Sequence, residues 1–308
     1  MNNVYVRGNT SIKSISLTRL FLVIPLIIYG FYKNGVFLYM NNYIGLLEMF
    51  KPLILILIGA FLGAIVNIIY EYIIKRRKEG LINTIFSSFH VEYGVIVACI
   101  SSINTNILAF TICIFFIFLI SKFLNNRINI MSVTFIAIYS IITLKNPYIF
   151  ENIYELSKNF SLNFMDYLTG RAAGGIASTH IFLLVVALIG LHISNTNKGE
   201  ITIYTCISYA LPAIIYAIIR HINVIDILFL NNYMFIFTFV ATDSVTSCYT
   251  TNGKKVYGIL IGVLTFGFYF INPILAPFIS IIVTSLLNNL IDRKVGVFSN
   301  KTSQIKGE

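Results

Sequence analysis

The stretch Thr238-Phe239-Val240-Ala241-Thr242-Asp243-Ser244-Val245-Thr246-Ser247 sets a carboxylate and five hydroxyl side chains at the end of the apolar run that starts at Tyr233. An ionised carboxylate at mid-bilayer costs ~2.5–3.5 kcal/mol on insertion scales, so such a residue persists only with a partner or a task. A second stretch of this kind lies upstream, where Asn83, Thr84, Ser87, Ser88, His90 and Glu92 interrupt the apolar run from Leu81 to Ile103. The relation between these two segments decides the architecture.

Their surroundings identify the solvent. The chain has 308 residues, 57% hydrophobic and 11% charged, whereas a soluble domain carries about 25% charged residues. This is an integral membrane protein whose partner is the lipid bilayer. The composition excludes a disordered chain, a disulfide scaffold and, despite the net charge of +10, a conventional nucleic-acid binder. Crossing the hydrocarbon layer takes about 20 apolar residues per helix. The predicted spans are Leu20 to Phe37, Pro52 to Ile74, Leu81 to Ile103, Ile107 to Leu124, Ile130 to Leu144, Ile176 to Ile193, Ile201 to Ile219, Tyr233 to Thr246, Val256 to Ile271 and Pro273 to Ile291, ten in all.

With the N-terminus inside, the inner segments collect 16 Lys and Arg, including Arg19 and the run Lys75-Arg76-Arg77-Lys78, and the outer segments six. The positive-inside rule then puts both termini in the cytoplasm. The run from Leu20 lacks a small-residue cleavage site and reads as an anchor. Cys99, Cys113, Cys206 and Cys248 show no metal-ligand spacing and read as small packing residues.

The longest loop divides the chain into 1–145, a connecting loop 146–175, and 176–308, with five spans on each side. An odd number per half forces two similar halves into opposite orientations, the inverted-repeat plan of many transport folds. Both polar stretches then fall in the third span of their half. Asp243, Thr242, Thr246, Glu92 and His90 are the candidates for an ion path or polar crevice. Capping of a helix break explains Asp243 equally well, with Thr246 as donor, and a hydrogen-bonded structural histidine explains His90. The pairs Gly59/Gly63 and Gly258/Gly262 form GxxxG spacings that let backbones approach.

The segments Ala241 to Ser247, Asn252-Gly253-Lys254, Tyr257-Gly258 to Gly262 and Asn288 to Asp292 together resemble the C-terminal block of the RnfD/NqrB family. Members are flavin-carrying membrane subunits of the Rnf electron-transport complex and of the Na⁺-pumping NADH:quinone reductase. Gly170-Arg171-Ala172-Ala173-Gly174-Gly175 to Thr179 is similar to the family's glycine segment, and Asn129 to Val133 lies near another motif. The resemblance implies ten helices in two inverted halves, urea- and ammonium-channel-like, in a bacterial inner membrane. It also implies sibling subunits and a share in a redox-driven translocase rather than a self-sufficient enzyme.

Departures bear on the cofactor. Ser244 and Cys248 replace family prolines. The family esterifies FMN to a threonine ending a D-x-x-[ST]-x-A-T motif, and the matching stretch, Ser140 to Asn146, keeps Thr143 but ends in Asn146. Asparagine has no hydroxyl to form that phosphoester. FMN is therefore expected to be non-covalent at most, with Arg171, Lys145 and Lys158 as cations for its phosphate. A subunit of an ion-translocating Rnf/Nqr-type complex is the reading preferred here. The alternatives are a stand-alone channel or transporter on the same scaffold and a structural subunit without activity.

Overall fold

The computed structural model describes residues 11–76, 80–123, 128–145, 163–172, 174–194, 198–229 and 232–305. Among these every regular element is helical. Helix α1 is Ile12–Phe31, and a π turn carries it on to Met40; α2 is Leu46–Met49; α3 is Lys51–Ile68, prolonged by a π turn to Ile74; α4 is Leu81–Ile85; α5 is His90–Ile100. Helices α6, Ile107–Ser121, α7, Ile130–Lys145, and the short α8, Phe164–Leu168, follow. Then come α9, Ile181–Ile193, α10, Gly199–Arg220, α11, Val224–Leu228, and α12, Tyr233–Phe235, which a π turn extends over Ile236–Val240. Helices α13, Thr251–Tyr269, and α14, Ala276–Ile305, end the described chain.

The polarity of the molecule is that of a protein in lipid. Leu57 and Phe61 on α3, Phe182 and Ile189 on α9, and Ile207, Leu211 and Ile215 on α10 all point outward, while Arg19, Glu92, Asn129 and Asp243 are buried. Three helical stretches, Ile12–Met40, Lys51–Ile74 and Gly199–Arg220, are by themselves long and apolar enough to cross a membrane.

The two polar spans are not continuous helices. At a rise of about 1.5 Å per residue, the 11 residues of α5 reach about half of the ~30 Å layer, and α12 with its π turn is shorter still. Each follows a very short helix, α4 before α5 and α11 before α12. Every residue of α5 is buried, so its ends are cared for by protein and not by water.

The two half-helices lie antiparallel. Tyr93, near the start of α5, bonds Asp243 just beyond the end of α12. At the other end the strap Gly174 to Ala177 joins them: Gly175 N donates to Asn232 Oδ1 before α12 (3.0 Å), and Ile176 N and Ala177 N donate to Ser101 O and Cys99 O at the end of α5. Backbones approach at glycine. A Cβ on Gly59 of α3 would lie 2.3 Å from Gly94 O of α5, and one on Gly63 would lie 2.3 Å from His90 O. In the second half, Gly258 and Gly262 of α13 meet Ile201 O and Thr205 O of α10 in the same way.

Three expectations change here. Arg19, counted among the cytoplasmic flanking cations, sits inside α1 and is 1% exposed. The span from Tyr233 to Thr246 stops being helical at Val240. Glu92 and Asp243 share a span number but not a register: Glu92 lies in the first turn of α5, Asp243 past the last turn of α12. Antiparallel packing, not equivalence, brings them to the same place.

Candidate functional site

Three elements meet at the buried junction. Arg19 Nε of α1 lies 3.0 Å from Glu92 Oε1, both side chains being 0–1% exposed, and Arg19 Nη2 donates to Phe239 O at 2.5 Å. Phe239 is in the last turn of α12, where carbonyls lack helical partners and the dipole end is negative. Glu92 in turn sits at the positive end of α5, which favours its charge.

Asp243 is held through both of its oxygens. Its Oδ1 accepts from Tyr93 OH (2.7 Å), and its Oδ2 accepts from Thr246 N (3.1 Å) and Thr246 Oγ1 (2.7 Å). The capping role thus belongs to its geometry. Thr242 turns back on its own turn, donating to Thr238 O. Asn129, preceding α7, closes the end of α12 by donating to Val240 O (3.1 Å) and Thr246 Oγ1 (3.2 Å). Nothing in the polarity of its own neighbourhood marks Asn129 as part of this site; only the faint motif near it does.

Lys198, at the mouth before α10, secures the loop after Asp243. Its Nζ donates to Ser247 Oγ (2.8 Å) and Ser247 O (2.9 Å) and lies 4.0 Å over the ring of Tyr249. Burial lowers its pKa to about 8, against the opposing attraction of Asp243. Opening the loop returns Lys198 to water and to its ordinary value of 10.5, so the open form holds its proton more tightly. Opening should therefore become rarer as pH rises from about 8 to 9, above which the thiol of Cys248 in the same loop, pushed up by burial from 9 to about 12, acts in the opposite sense; Lys198→Arg should remove the dependence between pH 8 and 9. Amide exchange at Ser244 to Tyr249, corrected for intrinsic rates, measures it.

His90 turns away from the carboxylates. Its Nδ1 meets Ser88 Oγ (2.7 Å) and its Nε2 meets Ser121 Oγ (2.8 Å). Ser88 also donates to Asn67 Oδ1 (2.6 Å) and accepts from Lys122 Nζ (2.7 Å). Tyr93, whose ring lies 5.8 Å from that of His90, stands beside this cluster and bonds Asp243.

On the side of the strap, a cavity of about 660 Å³ is lined by Tyr29, Tyr32, Lys33, Asn34, Phe37, Leu38 and Arg171. Lys33 Nζ donates to Ala172 O (2.5 Å) and Thr179 Oγ1 (3.0 Å), and Arg171 lies 3.7 Å from Asp166. Gly170, at φ +75°, adopts a backbone that side chains disfavour and packs on Tyr29 and His180. Thr143 donates to Tyr139 O (2.9 Å) within its own helix; Asn146, Lys158 and Ala173 lie outside the described residues.

A family model, the NQR2, RnfD, RnfE family, matches residues 1–297. The chain belongs to that family. Comparison with curated proteins returns no match. Within this NQR2/RnfD/RnfE member the C-terminal block is one structural unit built around the loop after α12. Asn288 of α14 donates to Thr246 O (2.7 Å). Asp292 accepts from Tyr249 N, Thr250 N and Thr250 Oγ1, and a side chain at Gly253 would strike it. The block holds Asp243 in place from the far end of the chain.

Proposed function

We propose that this NQR2/RnfD/RnfE subunit passes Na⁺ or H⁺ through the junction of α1, α5 and α12, driven by electron transfer in an Rnf/Nqr-type complex. The carrying observation is the convergence of Glu92 and Asp243 where two buried half-helices end. Broken helices of opposite direction at mid-membrane are the usual site of coupling ions. The repeated order of short helix and half-helix, running antiparallel, supports two inverted five-helix halves joined through 146–175, ten spans in all. The basic inner segments favour cytoplasmic termini in a bacterial inner membrane.

No covalent FMN is expected at the stretch that matches the family's attachment motif, because Asn146, in the acceptor position, offers no hydroxyl. Arg171, exposed at the cavity that Tyr29 and Tyr32 also line, would be the cation for the phosphate of a non-covalent flavin. Intact-mass measurement should accordingly show no FMN phosphoester; an adduct would place the attachment elsewhere in the sequence. For the function itself, membrane vesicles lacking this subunit should lose reductant-driven ion uptake and regain it when the chain is restored. Uptake that survives its deletion contradicts the reading.

A further inference from the structure

The geometry points to Arg19 as a tethered cation: we infer that its guanidinium fills an alkali-cation position between Glu92 and the carbonyl end of α12, and holds this point of the path closed. The inference rests on the ion-path reading above and specifies which carboxylate an ion can reach.

Consider what surrounds that guanidinium. Glu92 supplies a carboxylate at 3.0 Å, and the last turn of α12 supplies Phe239 O. A carboxylate with helix-end carbonyls is the oxygen set that hard monovalent cations take at broken membrane helices. Here a side chain supplies the positive charge instead. Arginine does not release its proton in proteins, so neither pH nor a proton pulse vacates the position.

The fit of the guanidinium is incomplete. Arg19 Nη1 and Glu92 Oε2 are buried without a hydrogen-bond partner among the described residues, and the Nε contact is an ion pair without hydrogen-bond alignment. The Ser16 hydroxyl faces the same carboxylate but closes no hydrogen bond of ordinary geometry. Donors and acceptors are thus left over around a charge that five N–H groups could satisfy in a site made for them. A compact ion with oxygen ligands suits this set better than a planar fork does. Asp243, in contrast, faces no cationic side chain within hydrogen-bond reach among the described residues; its donors there are Tyr93 and Thr246. With Arg19 in place, Asp243 is the carboxylate left to an ion.

The test is cation binding, which is separate from pumping. In the purified complex, Arg19→Gln should acquire a Tm that rises with NaCl at ionic strength held constant with choline chloride, following site-binding linkage. Wild type, Arg19→Lys and Arg19→Gln/Glu92→Gln all keep Asp243 and should share one smaller rise, or none. A rise in Arg19→Gln no larger than that of wild type overturns the inference. Should that variant aggregate, recovery on extraction reads the same point: rescue by NaCl and not by choline chloride supports it, and equal recovery in both overturns it. Loss of this effect leaves the ion-path reading standing, because that reading is tested by redox-driven uptake.

Discussion

Glu92→Leu is expected to prevent recovery of folded subunit, while Arg19→Met/Glu92→Leu folds. Removing one partner of a buried pair leaves an uncompensated charge and costs about 3–5 kcal/mol, whereas replacing both with apolar groups of similar size is often neutral or better. The two single variants should also differ. A lone Glu92 can take a proton or a cation, but a lone Arg19 stays charged, held against Phe239 O with no carboxylate in ion-pair contact among the described residues. Thermal unfolding and detergent-extracted yield of the two singles and the double measure this. Glu92→Leu as stable as wild type would show that Arg19 reaches water or another acid.

Gly94→Val is expected to separate α3 from α5 and to lower Tm sharply. A Cβ on Gly94 would lie 2.0 Å from Gly59 O and 2.5 Å from Gly59 C, and the reciprocal Cβ on Gly59 would lie 2.3 Å from Gly94 O. These obstacles are backbone atoms, which cannot rotate aside, so the helices themselves must move. Overpacking ordinarily costs about 1–3 kcal/mol, and displacing α5 also shifts Glu92 and Tyr93. Gly267→Ala is the control: its Cβ meets nothing within 4 Å, and alanine in a helix is favoured over glycine by about 1 kcal/mol. Equal loss in both variants would mean that general helix effects, and not the α3 to α5 contact, set the stability.

The apolar runs were legible because burial in lipid and burial in protein both demand apolar side chains. For the same reason the runs did not reveal where helices break. Nothing in the residues around Val240 stops a helix as proline would. What closes α12 is Asn129 from before α7 and the turn made by Asp243 with Thr246, contacts made only after folding. Asp243 itself stood out, since a carboxylate in an apolar run is conspicuous. Its partner Tyr93 did not, being one of 19 tyrosines.

Arg19 shows the limit most clearly. A cation near the chain start, following Lys13 and preceding Leu20, has the pattern of a flanking charge, and hydropathy gives it no other reading. Its burial follows from α1 starting at Ile12, about two turns earlier than the apolar run begins. The glycine segment was recognised by its residues, but its role as a strap joining the two half-helices comes from the backbone bonds of Ile176 and Ala177 to the end of α5.

The central claim is that ions reach the junction through Asp243. It is tested by measuring ions taken up per electron transferred in proteoliposomes of the reconstituted complex, wild type beside Asp243→Asn. Asparagine removes the charge while its one oxygen still accepts from Thr246 N and Oγ1 and its NH2 donates to the Tyr93 hydroxyl, which can accept as well as donate, so the loop stays closed. Ion uptake per electron should fall towards zero while electron transfer continues; an unchanged ratio would contradict the account.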